Sequence, residues 1–326
     1  MIEIKPFGAY MYNSSKVKDL GKLFTPPYDV ITKEEQRSFY DLSRYNFIRL
    51  ILGIKHPHDN KKSNRYTRAR DFLNIWIKKG ILAKEKDEAI YIYSQNYKVD
   101  GILRERAGFI ALMRLKDFSE NLVLPHEKTF DEPKKDRLML LKEVRANLSP
   151  IFSLFEDSGK KITDILKFYT KSNRRMLEVR DKDLVRHRLW RVRDKDFTKK
   201  ISELMQHKDI FIADGHHRYE VALEYKKLMQ GEDRAYSNES PYNFIMVYFL
   251  GLIESAVTIL PTHRLVRLNK GFKKEGIEQL LKDFFYISKK KNLKELMSAL
   301  NLNRNNGPHF GLCWEKGCYF LLKFKK

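Results

Sequence analysis

The strongest chemical signal in the sequence is a polar motif that directly follows a short apolar run. The apolar run IFIA is typical of a buried strand, and a helical pattern resumes after the motif. The motif between them consists of Asp214, Gly215, His216, His217 and Arg218. The first amides of a helix have no partner within the helix and therefore attract anions. We expect the histidine and arginine donors at this position to hold phosphate oxygens.

Asp214 has two candidate roles within this motif, and the motif as a whole has one alternative interpretation. Asp214 could hold a magnesium ion or orient one of the histidines. The alternative to a functional motif is an ordinary strand–turn–helix connection whose histidines are exposed to solvent.

The second signal is the segment LVLPHEKTF, in which polar residues again follow an apolar run and precede a helical pattern. It contains His126, Glu127 and Thr129. A carboxylate within reach of a hydroxyl group can act as a general base, so Glu127 is a candidate catalytic residue. The alternative role for Glu127 is an ordinary helix-capping acid.

Four further charged residues are candidates for substrate binding. Asp29 follows a rigid Pro-Pro turn in PPYDVI, and His263 and Arg264 leave an apolar run in LPTHRL. Arg137 lies close to the second motif in sequence, where its positive charge would meet an anionic ligand. The alternatives are a folding corner for Asp29 and a surface basic pair for His263 and Arg264.

The sequence argues against a tightly held zinc ion and against two common nucleotide sites. Adjacent histidines point to opposite sides of an extended chain, and His126 lacks the second histidine of an HExxH motif. The two cysteines, Cys313 and Cys318, are too few for a disulfide framework or a four-cysteine zinc site. They are expected to be core or edge residues of a final hairpin. The P-loop and Rossmann fingerprints do not occur.

The elements that must position these residues are predicted from hydrophobic periodicity and turn residues. Residues 1–60 are expected to be irregular, and hairpin turns are predicted at Asp100-Gly101 and Lys316-Gly317. The predicted helices are 65–79, 136–146, 162–169, 197–205, 219–229, 271–284 and 293–300, and the predicted strands are 89–94, 107–115, 150–155, 187–192, 210–213, 243–250 and 258–260. This alternation indicates an α+β, or mixed α/β, fold.

Several segments, taken in order, resemble one family of proteins. The segments are PPYDVI, NFIRLIL, RAGFIAL, LPHEKT, DRLMLL, SPIFSLF, ADGHHRY and LPTHR. Together they resemble the family known as domain of unknown function 1015, and the resemblance covers nearly the whole chain. Members of that family often continue further at the C-terminus, so the resemblance implies that the last family segment is truncated here.

A more distant resemblance concerns mechanism. The order His-Glu-x-Thr, a helix, a Pro-Ile strand and a strand that ends in Asp-Gly-His-His-Arg is similar to that of free serine kinases with the ParB/sulfiredoxin fold. The resemblance implies that Glu127 deprotonates a serine hydroxyl, with His126 and Asp214 as further catalytic residues. It implies that Mg²⁺ with ATP or ADP is the cofactor and that Asp214 is a magnesium ligand. The residues implied to bind nucleotide phosphates are Thr129, Gly215, His216, His217 and Arg218.

The same resemblance implies a division of the chain. A ParB/sulfiredoxin-like core would occupy 121–235, between an N-terminal α/β segment at 1–120 that packs on it and a C-terminal α/β segment at 236–326. Residues 152–213 separate the Pro-Ile strand start from Asp214, many more than in the compact kinases. An insertion at about 156–208 is therefore expected, and it would add a lid or a substrate pocket.

The net charge of +22 results from 64 Lys+Arg against 42 Asp+Glu. These basic residues are spread along the chain, whereas a nucleic-acid-binding domain concentrates them on one face or helix. A small anionic ligand is therefore favoured over DNA. No apolar stretch approaches the roughly 18–20 residues that span a bilayer, and the N-terminus lacks a signal-peptide pattern. We expect a cytoplasmic protein without a membrane partner.

The leading functional hypothesis is a nucleotide-dependent kinase for a small hydroxyl metabolite, with free L-serine as the best candidate. A phosphatase for phosphoserine-like substrates would use the same motif without a nucleotide. A nucleotide-binding, ParB-like regulator would instead contact DNA in a strongly salt-dependent way. A structural or interaction role is a further alternative, and the sequence leaves the phosphate donor and the oligomeric state open.

Overall fold

The computed structural model of the protein describes residues 1–99, 101–253, 257, 263–267, 274–303, 306–314 and 317–325. Helices and strands alternate in these residues, which confirms the predicted α+β composition. The strands are β1 (Ile4–Lys5), β2 (Tyr10–Tyr12), β3 (Leu82–Lys84), β4 (Ile90–Val99), β5 (Ile102–Arg114), β6 (Val123–Leu124), β7 (Ile151–Glu156), β8 (Leu177–Arg180), β9 (Arg186–Val192), β10 (Ile210–Asp214), β11 (Phe244–Leu252), β12 (Phe285–Lys290), β13 (His309–Cys313) and β14 (Tyr319–Phe324). The helices are α1 (Lys33–Leu42), α2 (Ile48–Ile51), α3 (Arg65–Lys78), α4 (Asp131–Val144), α5 (Lys161–Ser172), α6 (Lys195–Met205), α7 (His216–Glu232), α8 (Lys274–Phe284) and α9 (Leu293–Leu302).

One large mixed sheet organises the first of two compact units, Met1–Ile259. Its strands lie in the order β6-β10-β7-β11-β5-β4-β9-β8, and β1 pairs with the end of β5. β6 and β10 are parallel, with Ile210 opposite Val123, so their C-terminal ends lie side by side. The two predicted motifs follow these two ends, and the sheet therefore brings them together.

The main core lies between one face of this sheet and the helices α5, α6 and α7. Strand side chains alternate between the two faces of a sheet, so Phe109 and Phe249 point to the same side, where their rings stack with centroids 4.9 Å apart. Ile162 of α5, Ile201 of α6 and Tyr219 of α7 belong to the same buried cluster. Each such side chain contributes about 1.5–3 kcal/mol by leaving water.

Residues 1–60 are not irregular, and that prediction is wrong. α1 and α2 lie in this region, and α1 begins after Thr32, whose side chain accepts from the Glu35 amide while the Glu35 carboxylate accepts from the Thr32 amide. This capping box was readable in the sequence TKEE, but the charged surface of α1 hides its apolar periodicity. α2, α3 and α4 contribute side chains to a second apolar cluster that includes Trp76.

The two helices that follow the motifs begin earlier than predicted. α4 begins at Asp131 rather than Asp136, because Pro133 is tolerated in the first turn of a helix. Asp136 therefore lies one turn further inside α4 and pairs with neighbouring arginines. α7 begins at His216 rather than Tyr219, so the two adjacent histidines belong to its first turn.

Residues 156–208, where an insertion is predicted, form the far end of the large sheet. β8 and β9 lie at the opposite end of the strand order from β6 and β10. α5 and α6 contribute side chains to the main core. Residues 156–208 therefore extend the sheet and cover its core face, and their assignment as an insertion stays a prediction. The division into segments 1–120, 121–235 and 236–326 stays a prediction.

The second compact unit, Leu260–Lys326, contains a three-stranded antiparallel sheet in the order β12-β14-β13. The predicted final hairpin is confirmed in β13 and β14, and Gly317 supplies its positive φ of 95°. Lys316, Asp100 and the predicted strand at 258–260 lie outside the described residues. Cys313 is exposed and Cys318 half-buried, and neither forms a disulfide. In the described parts of the chain, no helix is long and apolar enough to cross a membrane.

Candidate functional site

The segment after β6 is hydrogen-bonded to β10 and to the start of α7. The His126 amide donates to His216 Nε2 at 3.3 Å, and His126 Nδ1 donates to the Ile212 carbonyl at 2.8 Å. The two imidazole rings meet edge to face with centroids 4.5 Å apart. The two predicted motifs thus form one site, although 90 positions separate His126 from His216.

His216 is a neutral histidine that faces the candidate base. Burial lowers the pKa of His216 below its usual value, and His126 lowers it further, while Glu127 raises it. A neutral ring whose Nε2 accepts a hydrogen bond carries its proton on Nδ1. That Nδ1 lies 3.7 Å from Glu127 Oε2, and the Glu127 side chain is 58% exposed. Glu127 is therefore open to a ligand on one side and faces a buried N–H group on the other.

Gly215 makes the sharp turn from β10 into α7. Its φ is +98°, a conformation that glycine adopts without a Cβ penalty. A Cβ at this position would lie 2.9 Å from Arg218 Nη2 and 3.0 Å from Ile151 Cδ1. No described side chain caps the start of α7. The amides of its first turn therefore have no side-chain acceptor among the described residues, and their role as an anion site stays a prediction.

Two hydrogen bonds, to Pro150 and to Asp214, fix the Arg218 side chain beside this turn. Its Nη1 donates to the Pro150 carbonyl and its Nη2 to Asp214 Oδ2, each at 2.5 Å. The ion pair joins positions i and i+4 across the turn, and the Arg218 side chain is 18% exposed. Arg218 thus has a fixed orientation before any ligand binds.

His217 and Thr129 are both engaged with the opposite element. His217 Nε2 accepts from the Phe130 amide at 3.0 Å, which leaves Nδ1 of a neutral ring as a donor. The Thr129 hydroxyl donates to Glu220 Oε2 at 2.7 Å, and Lys134 lies 3.3 Å from the same oxygen. Thr129 is thereby held on α7, where its hydroxyl already has an acceptor.

A second group of charged residues surrounds Tyr28, which lies in a short 3-10 turn. The Arg137 guanidinium lies 3.9 Å from the centre of the Tyr28 ring. Arg137 donates to Asp136 through Nε at 2.8 Å and through Nη2, and to the Ile51 carbonyl through Nη1 at 2.8 Å. Burial raises the pKa of Tyr28, although Arg137 lowers it. Asp29 also raises this pKa, and Arg218 lowers it.

Asp136 is the anionic centre that holds Arg137 in place. It also accepts from Arg65 and, at 2.7 Å, from the Tyr66 hydroxyl. Burial alone would raise the pKa of Asp136, but Arg137 and the Tyr66 hydroxyl outweigh it and keep the pKa below its usual value. The carboxylate is therefore ionised at neutral pH, as the two arginines require.

The predicted site residues fall into these two groups, with two exceptions. His126, Glu127, Asp214 and His217 act electrostatically on His216, and Arg137, Arg218 and Asp29 act on Tyr28. The Asp214–Arg218 ion pair connects the groups. The exceptions are His263 and Arg264, which lie exposed in the second unit.

Sequence reasoning missed three residues of this region. Tyr28 lies inside the quoted motif PPYDVI, but spacing does not show which of its side chains turns inward. Asp136 and Glu220 are acids in helices, a pattern that usually indicates a solvated face.

Asp214 and Glu127 are the carboxylates at this site that could hold a magnesium ion together with substrate phosphates. In the described residues, no three His, Cys, Asp or Glu side chains are grouped so that they could hold a metal ion. Mg²⁺ is usually held by one or two carboxylates together with substrate phosphates, and not by an all-protein cage. Asp214 Oδ1 and Glu127 are the available oxygen donors beside the start of α7.

The fold and this site define an α+β protein in which two strand ends and one helix start gather histidines, carboxylates and arginines. The model of the family described as protein of unknown function DUF1015 matches residues 4–326. The chain therefore belongs to the DUF1015 family. No curated protein and no solved structure matches the chain significantly.

Proposed function

We propose that this protein is a nucleotide-dependent kinase that phosphorylates a small hydroxyl metabolite, with free L-serine as the best candidate. One observation carries the proposal. Glu127, an exposed carboxylate, stands beside the uncapped start of α7, where a base and an anion site are needed together.

The start of α7 is suited to hold the phosphates of the nucleotide. Its free amides and the Arg218 guanidinium provide donors in fixed positions, and positioning with charge neutralisation is most of what phosphoryl transfer requires. Nδ1 of His217 adds a further donor at the same helix turn. When bound, magnesium held by Asp214 would neutralise phosphate charge.

Glu127 is the general base of the proposed reaction. The substrate hydroxyl oxygen attacks the terminal phosphorus, its proton passes to Glu127, and the bond to the bridging oxygen breaks, so that the nucleotide leaves with one phosphate fewer. His216 Nδ1–H, 3.7 Å from Glu127, orients the carboxylate, and such contacts in ligand-free sites tighten when substrate binds.

The order of the elements also supports the proposal. β6, α4, β7 and β10 occur along the chain in the order that the resemblance to ParB/sulfiredoxin-fold serine kinases implies, with α5, β8, β9 and α6 between β7 and β10. The positive net charge of +22 attracts anionic ligands such as nucleotides. A cytoplasmic location, where ATP and free amino acids are present, is part of the same proposal.

Product detection tests the proposal. The protein is incubated with L-serine, Mg²⁺ and either ATP or ADP, and phosphoserine is measured by mass spectrometry. Phosphoserine formation with one nucleotide is the expected result. Phosphate release from phosphoserine without any nucleotide would instead indicate a phosphatase, and the absence of both reactions would refute the serine proposal.

A further inference from the structure

A small cleft lies between α4 and α7, beside the proposed phosphate site. It has a volume of about 70 Å³ and opens to solvent. Tyr28, Arg137 and Arg218 line it together with apolar side chains such as Leu141 and Val221. The cleft therefore combines two guanidinium groups with a mostly apolar wall, to which Asn147 and Ser149 add polar side chains.

Both arginines keep donors for a ligand. A guanidinium group has five N–H bonds. Arg137 uses three of them on Asp136 and Ile51, and Arg218 uses two on Asp214 and Pro150. Two N–H bonds of Arg137 and three of Arg218 therefore have no partner among the described residues.

Arg137 is unusual because its guanidinium is almost completely buried. The residue is 8% exposed, and the Tyr28 ring covers one face of the group. Asp136 shares its single negative charge between Arg137 and Arg65, so this trio has a net positive charge. A buried, oriented guanidinium with spare positive charge is the arrangement that binds a carboxylate in a bidentate way.

Asp29 supplies a negative charge next to Tyr28, one of the residues that line the cleft. It is exposed, adjoins Tyr28 in the chain, and acts electrostatically on the Tyr28 phenol. A ligand with a carboxylate for Arg137 and an ammonium group for Asp29 would satisfy both charges.

We propose that this cleft binds the carboxylate of an α-amino acid, with Asp29 facing its ammonium group. The proposal rests on the proposed function, because it makes this amino acid the acceptor in the phosphoryl transfer. The Asp214–Arg218 ion pair then connects the acceptor cleft to the phosphate site.

The size of the cleft limits the ligand. Sites for drug-sized molecules are about 300–1,000 Å³ in volume, and a cavity needs about 10–15 Å³ to hold one water molecule. A cleft of about 70 Å³ is large enough for a small group such as a carboxylate and is well below the volume of a site for a drug-sized molecule. The nucleotide must therefore bind elsewhere, at the start of α7.

Calorimetry with three ligands tests the inference on the full chain. L-serine, glycerate and ethanolamine all carry a primary hydroxyl, but glycerate lacks the ammonium group and ethanolamine lacks the carboxylate. We expect serine to bind at least about tenfold more tightly than either, the loss expected for one hydrogen bond to a charged group. Ethanolamine as tight as serine, or no serine binding with and without nucleotide, would overturn the inference.

Two variants assign the contacts. Arg137→Lys keeps the charge but loses the planar fork, and we expect it to raise the Kd of serine at least about tenfold without changing that of the nucleotide. Asp29→Asn should weaken the binding of serine and leave the binding of glycerate unchanged. Asp41→Asn, at another exposed acid, is the control. If Arg137→Lys fails to fold, Asp29→Asn and the ligand series decide. A ratio of the Kd of serine to the Kd of glycerate that is the same in Asp29→Asn as in the wild type would overturn the inference.

The outcomes separate this inference from the proposed function. Serine binding that depends on Arg137 and Asp29, without phosphoserine formation, would leave the cleft assignment standing and remove the kinase. Phosphoserine formation with an unchanged KM for serine in Arg137→Lys would leave the kinase proposal standing and remove the cleft assignment.

Discussion

Gly215→Ala is the most informative single test of how the turn between β10 and α7 is built. Gly215 has a φ of +98°, and an added Cβ would lie 2.9 Å from Arg218 Nη2. Two separate costs therefore follow from this substitution, backbone strain and displacement of the Arg218 side chain.

The two costs can be estimated from the structure. An alanine held in this backbone region costs about 1–3 kcal/mol. Arg218 must also move, and the loss of its hydrogen bond to Asp214 or to the Pro150 carbonyl adds about 1.5–3 kcal/mol. We therefore expect Gly215→Ala to lower the free energy of unfolding by about 2.5–6 kcal/mol.

Gly101→Ala is the matched control. Gly101 also has a positive φ, +78°, but nothing lies within 4 Å of its added Cβ. The control therefore carries the strain alone, about 1–3 kcal/mol. Urea unfolding of the wild type and both variants at one pH gives the two differences in free energy.

The second readout is the shift in melting temperature caused by ATP with Mg²⁺. Because Gly215→Ala displaces Arg218, the shift should shrink in this variant and stay at the wild-type value in Gly101→Ala. Equal losses of stability in the two variants, together with an unchanged ligand shift in Gly215→Ala, would refute the packing of Arg218 against the turn.

Three other predictions follow from the same contacts. Asp136→Asn removes the countercharge of the buried Arg137, so urea unfolding should show a loss of about 3 kcal/mol, and a loss below about 1 kcal/mol would contradict the buried pair. The pKa of His216 lies below its usual 6.5 in the folded protein, so the unfolded chain binds the extra proton first; stability should fall as the pH drops below about 6.5, and His216→Gln should flatten that dependence in pH-dependent unfolding. Thr129→Val breaks the hydrogen bond to Glu220 and should cost about 1 kcal/mol in the same unfolding assay, whereas an unchanged midpoint would show that the bond contributes nothing.

Much of the fold could be predicted from the sequence, because periodicity and turn residues act locally. The predicted strand at 210–213 and the predicted helix at 65–79 agree with β10 and α3 to within one residue at each end. α1 was missed because most of its surface is charged, and its capping box was the remaining signal. The start of α4 was misplaced because Pro133 resembles a helix breaker although it occupies the first turn.

The site was only partly predictable, because the decisive information is the pairing of distant strands. The parallel pairing of β6 with β10 brings His126 to His216, and nothing local in either motif specifies that pairing. The inward turn of Tyr28 onto Arg137 depends in the same way on the packing of α4. Sequence patterns therefore identified the chemical groups, and tertiary structure determined which of them meet.

The central claim is that Glu127 acts as the base beside a phosphate site, and Glu127→Gln tests it most directly. The substitution keeps the size of the side chain and removes its basicity. The measurement is phosphoserine formation from L-serine, Mg²⁺ and the productive nucleotide, with nucleotide affinity determined on the same samples. Glu132→Gln, at an exposed acid in the first turn of α4, is the matched control.

We predict that Glu127→Gln forms phosphoserine at least about a hundredfold more slowly than the wild type, as expected for the loss of a general base. Its nucleotide affinity should stay within about twofold, and Glu132→Gln should match the wild type in both respects. Turnover of Glu127→Gln at the wild-type rate would contradict the assignment of Glu127 as the base.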